Sequence, residues 1–478
     1  PIPSLNGLKR NKLKVSKILN DYCVEGKFKR SGNVMENFKK IVIVQLLIIG
    51  LLLAILVYVL SKPATNPIAA SYVVWREGDE YYAADAYGIR FSGKNASQVI
   101  QSVIDSLTAD RTWKEKIILR GDFTISNTII VKSYTILEFQ GKITVADNAN
   151  IDAAIKSEGF DQLAGTDSTG GVVEVEIVGL KLDGNHACSF GLKLYGRKLT
   201  VKDANIYYCK EDGIWTEWST NPDVASPDDA MEGIFSNIRS CFNNGRGWRM
   251  LGPHDSYLTD ILLYCNRLVG FACWRGGVCQ GTNLHAYGNG EAGFYIDANG
   301  TTFSNIISES NGNSTHQSGV IVLAHDVYLD GVFHHNGRYG IEMGSVERSP
   351  AGCYIRGKTL DNQEAGLGLI NGSINRYELH MWENTTISGT LNANDKYDIY
   401  NTKNGKRSQN SGTAIIYAGE TNVTVAHSLI WIPKIVVVTG KDSETANAYV
   451  SARNETHITI IVLAPVTADR EVDWYAEI

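Results

Sequence analysis

Residues 282–300 read TNLHAYGNGEAGFYIDANG, with Gly288, Gly290 and Gly293 in the spacing GxGxxG. A phosphate-cradling loop with this spacing must close a strand, open a helix and be followed about 20 residues later by an acid. The residues after Gly293, Phe294-Tyr295-Ile296-Asp297, alternate and are aromatic or β-branched, so they read as a strand. The stretch also recurs. An apolar residue behind Asn or Asp, a polar turn, and a Gly followed by an apolar residue appear in NIYYCKEDGIW, NIRSCFNNGRGW, DILLYCNRLVGF, NLHAYGNGEAGF and NIISESNGNSTHQSGV. Looser copies follow in GVFHHNGRYGI and YIRGKTLDNQEAGL.

The leading apolar residues are Ile206, Ile238, Ile261, Leu284, Ile306, Val332 and Ile355, spaced 32, 23, 23, 22, 26 and 23. A period in the low twenties means a solenoid, in which each unit buries its apolar side only by stacking on the next. Leucine-rich repeats would need LxxLxLxxN, which is absent. Short apolar pairs with Asn at one corner and Gly at another predict a right-handed parallel β-helix. Asn205, Asn237, Asp260, Asn283 and Asn305 should form a ladder whose side chains bond along the stack and satisfy corner backbone groups. Gly213, Gly247, Gly270, Gly293, Gly319, Gly340 and Gly366 should mark a corner where positive φ or close coil approach excludes a Cβ. GxGxxG is then a coil corner, and a nucleotide site is excluded.

Charge is uneven along the chain. Residues 1–40 carry ten Lys or Arg against three Asp or Glu, leaving −13 for the remainder to reach the overall −6. The large acidic part would repel phosphates, so nucleic acid is excluded as a partner. Residues 41–60, IVIVQLLIIGLLLAILVYVL, hold no charge and are long enough to cross a hydrocarbon layer of roughly 30 Å. Basic residues before this run and only Lys62 just after it place the N-terminus in the cytoplasm and the bulk outside the cell membrane. A cleaved signal peptide ending near residues 68–70 is the alternative, but its apolar core would exceed the usual length. The chain opens on Pro1, and Met35 followed by ENFKK reads as a second plausible start, which would make residues 1–34 non-native. Beyond Lys62, seven Asn residues sit in N-x-[ST] sequons, and seven of the eight cysteines follow the apolar run. In an oxidising compartment some of these cysteines could bridge neighbouring coils; small buried core residues are the other reading. None forms a paired CxxC, and no metal site is expected.

The expected fold is all-β. A right-handed parallel β-helix spans 86–405, with an N-terminal capping helix, and an antiparallel β-sandwich domain follows over 411–478. A linker over 62–85 joins these to a transmembrane helix over 41–61, behind the cytoplasmic basic segment 1–40. Val99, Ile100, Val103, Ile104 and Leu107 have helical spacing behind caps at Asn95 and Ser97. A helix there would cover the open end of the stack. The tail holds six alternating strands with turn signals every nine to twelve residues.

The stretch AADAYGIRFSGKNASQVIQSVIDSL and the coils after it resemble the start of the pectate-lyase-like family, which includes rhamnogalacturonase and epimerase-type β-helices. That family's pattern is roughly DxGAxGDGxTDDTxAIQxAI; here SGKNAS replaces the TDDT portion. VTVAHSLIWIPKIVVVT and VDWYAEI resemble the terminal β-domain found after β-helices in archaeal surface proteins and phage tail fibres. The two resemblances cover most of residues 80–478 and imply the fold. The fibre tails imply a homotrimer. Chemistry is implied weakly, because the fold hosts lyases, hydrolases, epimerases and inert adhesins. Of the motifs of pectin-degrading hydrolases only a DD, at Asp228-Asp229, is present.

Strand alternation selects the candidate site. The residue after each corner Gly should point inward: Ile214, Trp248, Phe271, Phe294, Val320, Ile341 and Leu367. The outward positions hold Trp215, Glu217, Arg249, Trp274, Tyr295, Asp297, Ile321 and Glu342. Aromatics among acids and an Arg suit a saccharide groove, with Trp215, Glu217, Arg249, Trp274 and Tyr295 as substrate-binding candidates. A surface stripe selected only for strand propensity is the plainer reading. Asp297 and Glu342 are catalytic candidates, as are Asp228 and Asp229 in the insertion EWSTNPDVASPDDAMEG, which also carries Asp223. Asp228 and Asp229 could equally hold Ca²⁺; otherwise no cofactor is expected. Two functions follow: a membrane-anchored β-helix that binds, and in the further case cleaves, polysaccharide as a lyase or hydrolase, or a non-catalytic stalk or adhesin.

Overall fold

The computed structural model describes residues 40, 42–50, 52–53, 70–221, 230–275, 279–382, 387–391, 394–401 and 406–478. The chain divides into two units, Pro1–Pro67 and Ile68–Ile478. In the first unit the described residues are helical, and no helix among the described residues is long and apolar enough to cross a membrane. The rest of the expected span lies outside the described residues.

In the second unit the chain winds as a column of coils with two parallel sheets. Strands Phe271–Trp274, Phe294–Asp297, Val320–Val322 and Tyr339–Met343 pair successively in one of them. The inward residues stack in register as expected: Ile214 on Trp248, then Phe271, Phe294, Val320, Ile341 and Leu367. Each is at most 1% exposed, so this column is core from end to end. The other sheet contains Ile234–Cys241, Ser256–Tyr264, Cys279–Tyr287 and Thr302–Glu309, again parallel and in register.

Those strands bend at one residue each. Asp203, Asn237, Asp260, Asn283 and Asn305 adopt φ between 51° and 57°, a left-handed conformation that Asn and Asp tolerate best among residues with a side chain. Their side chains bond along the stack, Asn237 Nδ2 to Asp203 Oδ1 at 2.7 Å, Asn283 Nδ2 to Asp260 Oδ1 at 2.9 Å and Asn305 Nδ2 to Asn283 Oδ1 at 2.6 Å. The first member differs from the expectation. Asn205 pairs with Arg239, and Asp203 is the residue at the bend, because the swollen coil shifts the register by two. The looser copies also leave the pattern. Gly331 lies opposite Ile306, so Val332 pairs with Ile307, and Ile355 pairs with Leu329. With no residue at the bend, Tyr328–His334 runs one residue shorter and the outer ladder ends at Asn305.

A second ladder lies inside. Asn243, Asn266, Asn289, Asn311, Asn336 and Asn362 are each at most 6% exposed. The Oδ1 of each accepts the backbone N–H of the Asn one coil earlier, at 3.0–3.2 Å, and Asn243 does the same for Cys209. From Asn266 onward each Nδ2 donates to a carbonyl of the strand before, those of Ser240, Leu263, Ala286, Ser308 and Phe333. The corner glycines are explained by this ladder. A Cβ on Gly247, Gly270, Gly293, Gly319 or Gly340 would stand 2.4–2.8 Å from the next Asn Nδ2. Close approach rather than positive φ therefore excludes a side chain there.

Both ends of the column are closed. Helix Ala96–Asp105 is capped by Asn95, whose Oδ1 accepts from Gln98 N at 3.2 Å, and it buries Val99, Ile100, Val103 and Ile104. Gln101 pairs with the backbone of Ile130 in both directions, and Ser97 Oγ accepts from Ser126 N and Asn127 N. These bonds satisfy strand edges that would otherwise be bare. The linker expected over 62–85 ends sooner, since Tyr72–Glu77, Glu80–Asp85 and Gly88–Gly93 form an antiparallel meander whose first strand pairs in parallel with Glu115–Arg120. At the other end six strands form two three-stranded antiparallel sheets, with Gln409–Ile416, Arg470–Glu477 and Ile435–Gly440 in one and Asn422–Ala426, His457–Ile461 and Tyr449–Arg453 in the other. Val472, Trp474, Ile458 and Ile460 from both sheets are buried in the continuous core.

Removing one inner Asn strands several buried polar groups, each costing about 1–3 kcal/mol. Asn289→Ala should lower unfolding free energy by about 3 kcal/mol or more in urea titration. Asn283→Gly, which keeps the bend and loses only exposed bonds, should cost less than about 1 kcal/mol.

Candidate functional site

The outward face of the sheet containing Phe294–Asp297 carries the predicted stripe as two columns. Lys193, Trp215, Arg249, Ala272, Tyr295, Ile321 and Glu342 stack in the first. Trp274 and Asp297 neighbour each other in the second, where Glu217 pairs with Tyr195 and Leu251.

The early half of this face is closed over itself. Residues 158–171, with the short helix Phe160–Leu163, fold across it, and Phe160, Tyr195 and Trp218 form a small buried cluster against which Trp215 packs. Phe160 meets the Trp215 ring edge-on at 5.1 Å. Arg249 and Lys193 stand over that ring at 4.3 and 5.3 Å, positions in which a cation is attracted by the ring quadrupole. Lys193 is itself buried between Asp152 (3.1 Å) and Asp161 (3.4 Å), which Lys156 also engages. Glu217 is 4% exposed and accepts from Trp215 Nε1 at 3.1 Å and from the backbone N–H of Gly165, so it fastens the covering loop. Arg249 bonds Asp212, a carboxylate that also lies 3.7 Å from Arg246. Each charge here has a partner, and Trp215, though partly exposed, is held among Phe160, Arg249 and Lys193.

The later half is open. Trp274, Tyr295 and Ile321 are partly exposed and pack on a small apolar floor of Val269, Ala272 and Ala292. Ala272 sits between Arg249 and Tyr295 in the first column, fully buried beneath the packed Trp274 and Tyr295 side chains. The Trp274 and Tyr295 rings lie 5.7 Å apart at 58°, and Arg246 stands 4.8 Å from the Trp274 centroid. Asp297 shares the strand and face of Tyr295 and meets Arg348, from the loop after Tyr339–Met343, at 3.3 Å. Burial raises the Asp297 carboxyl above its ordinary pKa, and Arg348 opposes that rise. Burial also raises the Tyr295 phenol, with Asp297 adding to it. Glu342 lies two coils from Tyr295 in the first column, bonded to Ser318 and 3.5 Å from Arg338. Asp297 and Glu342 thus stand two coils apart, roughly 10 Å of stacking, each held by its own Arg.

Asp223, Asp228 and Asp229 lie outside the described residues. Among the described residues no group of three His, Cys, Asp or Glu could hold a metal ion. Sequence reasoning passed over Lys193, Asp212, Arg246 and Arg348. Arg348 is 51 residues from Asp297 in a loop without periodicity, and nothing in the sequence signals its position. Asp212 and Arg246 carry a weak signal, since each immediately precedes a corner Gly.

No protein-family model and no curated protein matches the sequence. Solved structures do. The A-module of mannuronan C-5 epimerase AlgE4 from Azotobacter vinelandii aligns with a TM-score of 0.50 at 15% identity, covering 63% of this chain and 95% of that one. The fold is that of the right-handed parallel β-helices. The AlgE6 A-module of the same organism aligns at 0.48 with 12% identity, covering 64% and 95%. The tailspike protein gp49 of Pseudomonas phage LKA1 aligns at 0.37 with 12% identity, covering 76% and 66%.

Because Arg348 is the charge that restrains Asp297, Arg348→Ala should move the Asp297 carboxyl pKa further upward. A ¹³C-carboxyl NMR titration reads this directly, and an unchanged or lowered pKa contradicts the assignment.

Proposed function

We propose that this chain binds polysaccharide on the open half of the face, at Trp274, Tyr295, Asp297 and Arg348. One observation carries the reading. Trp274 and Tyr295 are partly exposed and pack on an apolar floor beside a carboxylate and a guanidinium, whereas the equally partly exposed Trp215 is already engaged by Phe160, Arg249 and Lys193. Aromatic rings take pyranose faces, and the charged pair takes hydroxyls, which is the composition a saccharide site needs. The AlgE4 A-module, of the same fold, is by its name an epimerase of mannuronan, which supports a polysaccharide as the ligand class. In the enzymatic form of this proposal Asp297 moves the proton, since its raised pKa suits an acid or base. Roughly 10 Å of stacking between Asp297 and Glu342 exceeds the separations of paired glycosidase carboxylates, so a lyase-type proton transfer fits this pair better than hydrolysis.

A glycan panel scored for binding and for released reducing ends or unsaturated uronates tests both parts. Trp274→Ala and Tyr295→Ala should each weaken binding by at least about tenfold, as loss of one stacking ring implies. Unchanged affinity in both variants defeats the site.

A second reading, a non-catalytic adhesin or stalk associating as a homotrimer through its C-terminal domain, is favoured by one feature. The edge strand Ile435–Gly440 leaves Ile435 and Val437 each 52% exposed, as an unpartnered sheet face would. Binding without product in the panel supports an adhesin, and neither binding nor product supports a stalk.

The proposal extends to location, with residues 41–60 anchoring the bulk of the chain outside the cell membrane. Full-length protein should then stay with membranes through alkaline carbonate extraction; release into the supernatant refutes the anchor.

A further inference from the structure

Four of the cysteines in the column are fully buried and lie in two close pairs. Cys188 and Cys209 have their sulfurs 4.0 Å apart, and Lys210 N donates to Cys188 O at 2.9 Å, which sets the two cysteines on adjacent coils. Cys273 and Cys279 have theirs 3.7 Å apart across a corner of one coil. Cys273 points inward between Met250 and Ile296, and Cys279 points inward beside Ser256 from the other sheet. All four are 0% exposed. Cys241 is also buried, while Cys265 is exposed, and Cys353 bonds the carbonyls of Ala324 and Ala351 instead of another sulfur.

A disulfide needs its sulfurs at about 2.05 Å and its Cα atoms roughly 4.4–6.8 Å apart. Adjacent coils stack at about 4.8 Å. Rotation of the side chains can therefore close the inter-coil pair without moving the backbone.

We propose that Cys188–Cys209 and Cys273–Cys279 are disulfide sites, closed by thiol–disulfide exchange with a small disulfide such as oxidised glutathione while the coils assemble. In each exchange the two thiols give up two protons and two electrons. One protein S–S bond forms, the oxidant's S–S bond breaks, and two small thiols leave. Timing follows from burial. Attack requires a thiolate, and the Cys209 and Cys279 thiols are held well above their ordinary pKa, first by the hydrogen bond to the partner cysteine and then by burial. Once the column has closed, all four sulfurs are fully buried and out of reach of the oxidant. The bridges thus form during folding, and folded reduced protein resists oxidation. The assignment is independent of the saccharide reading; it concerns the compartment in which the chain folds.

The test uses the full chain, reduced in denaturant and refolded with or without oxidised glutathione, then denatured and alkylated with iodoacetamide. Peptide mapping should show four of the eight cysteines protected after oxidative refolding, linked 188–209 and 273–279. The same oxidant added after reductive refolding should leave those four cysteines alkylatable. Cys188→Ser should abolish the first link and leave the second. Full alkylation of all four after oxidative refolding, or links from them to Cys241 or Cys265, overturns the proposal. Rapid oxidation of the already folded protein overturns the timing.

Discussion

The column depends on a hydrogen bond from a backbone amide to the buried carboxamide oxygen of an asparagine one coil away. Each turn that leads to a corner leaves polar backbone groups inside an apolar core, where an unpaired donor is costly. Asn supplies an acceptor for the preceding turn and a donor for a strand carbonyl with one short side chain. The corner glycine follows as a steric corollary, because the carboxamide occupies the place a Cβ would need. Coil height, corner composition and the register of the inward aromatic column all descend from that arrangement.

Register in turn makes the outward face a surface with chemical pattern. Since Trp215, Arg249, Ala272 and Tyr295 stack at fixed intervals, a cation of one coil meets the ring of its neighbour, and a small residue in the same column lets the neighbouring rings pack over it. Loops leaving one edge of the sheet then decide how much of the pattern solvent can reach. One loop covers the early half through Phe160 and Trp218, and another delivers Arg348 to Asp297 without covering Trp274. Strand order sets what is present, and loop length sets what is accessible.

The inward column was legible because periodicity and alternation are local properties of sequence, and Phe271, Phe294 and Val320 obey both. The helix at Ala96–Asp105 was legible for the same reason. The inner ladder was less visible, although Asn243, Asn266, Asn289, Asn336 and Asn362 all stand four residues before a corner Gly. An Asn between polar neighbours reads as a surface turn, and only the stacked backbone reveals that these are buried. The outer ladder was read with its first member two residues late, because the swollen coil, 34 residues from Asp203 to Asn237, hides where the bend falls. Least legible was the cover over Trp215: residues 158–171 have no repeat, and their packing depends on residues such as Trp218 and Glu217 two coils later.

The inner ladder also bears on how such a chain changes length over evolutionary time. From Asn243 to Asn362 each coil presents the same carboxamide oxygen to the coil before and the same amide to the coil after, so duplicating or excising one coil of 22 or 23 residues between two such asparagines restores an unbroken chain of bonds. A recombination event of that size needs no compensating substitution in the core, whereas one of ten residues would set a bulky inward side chain against a carboxamide. Length is therefore a heritable variable of the column, and the two dissimilar ends are the parts that such events must leave alone.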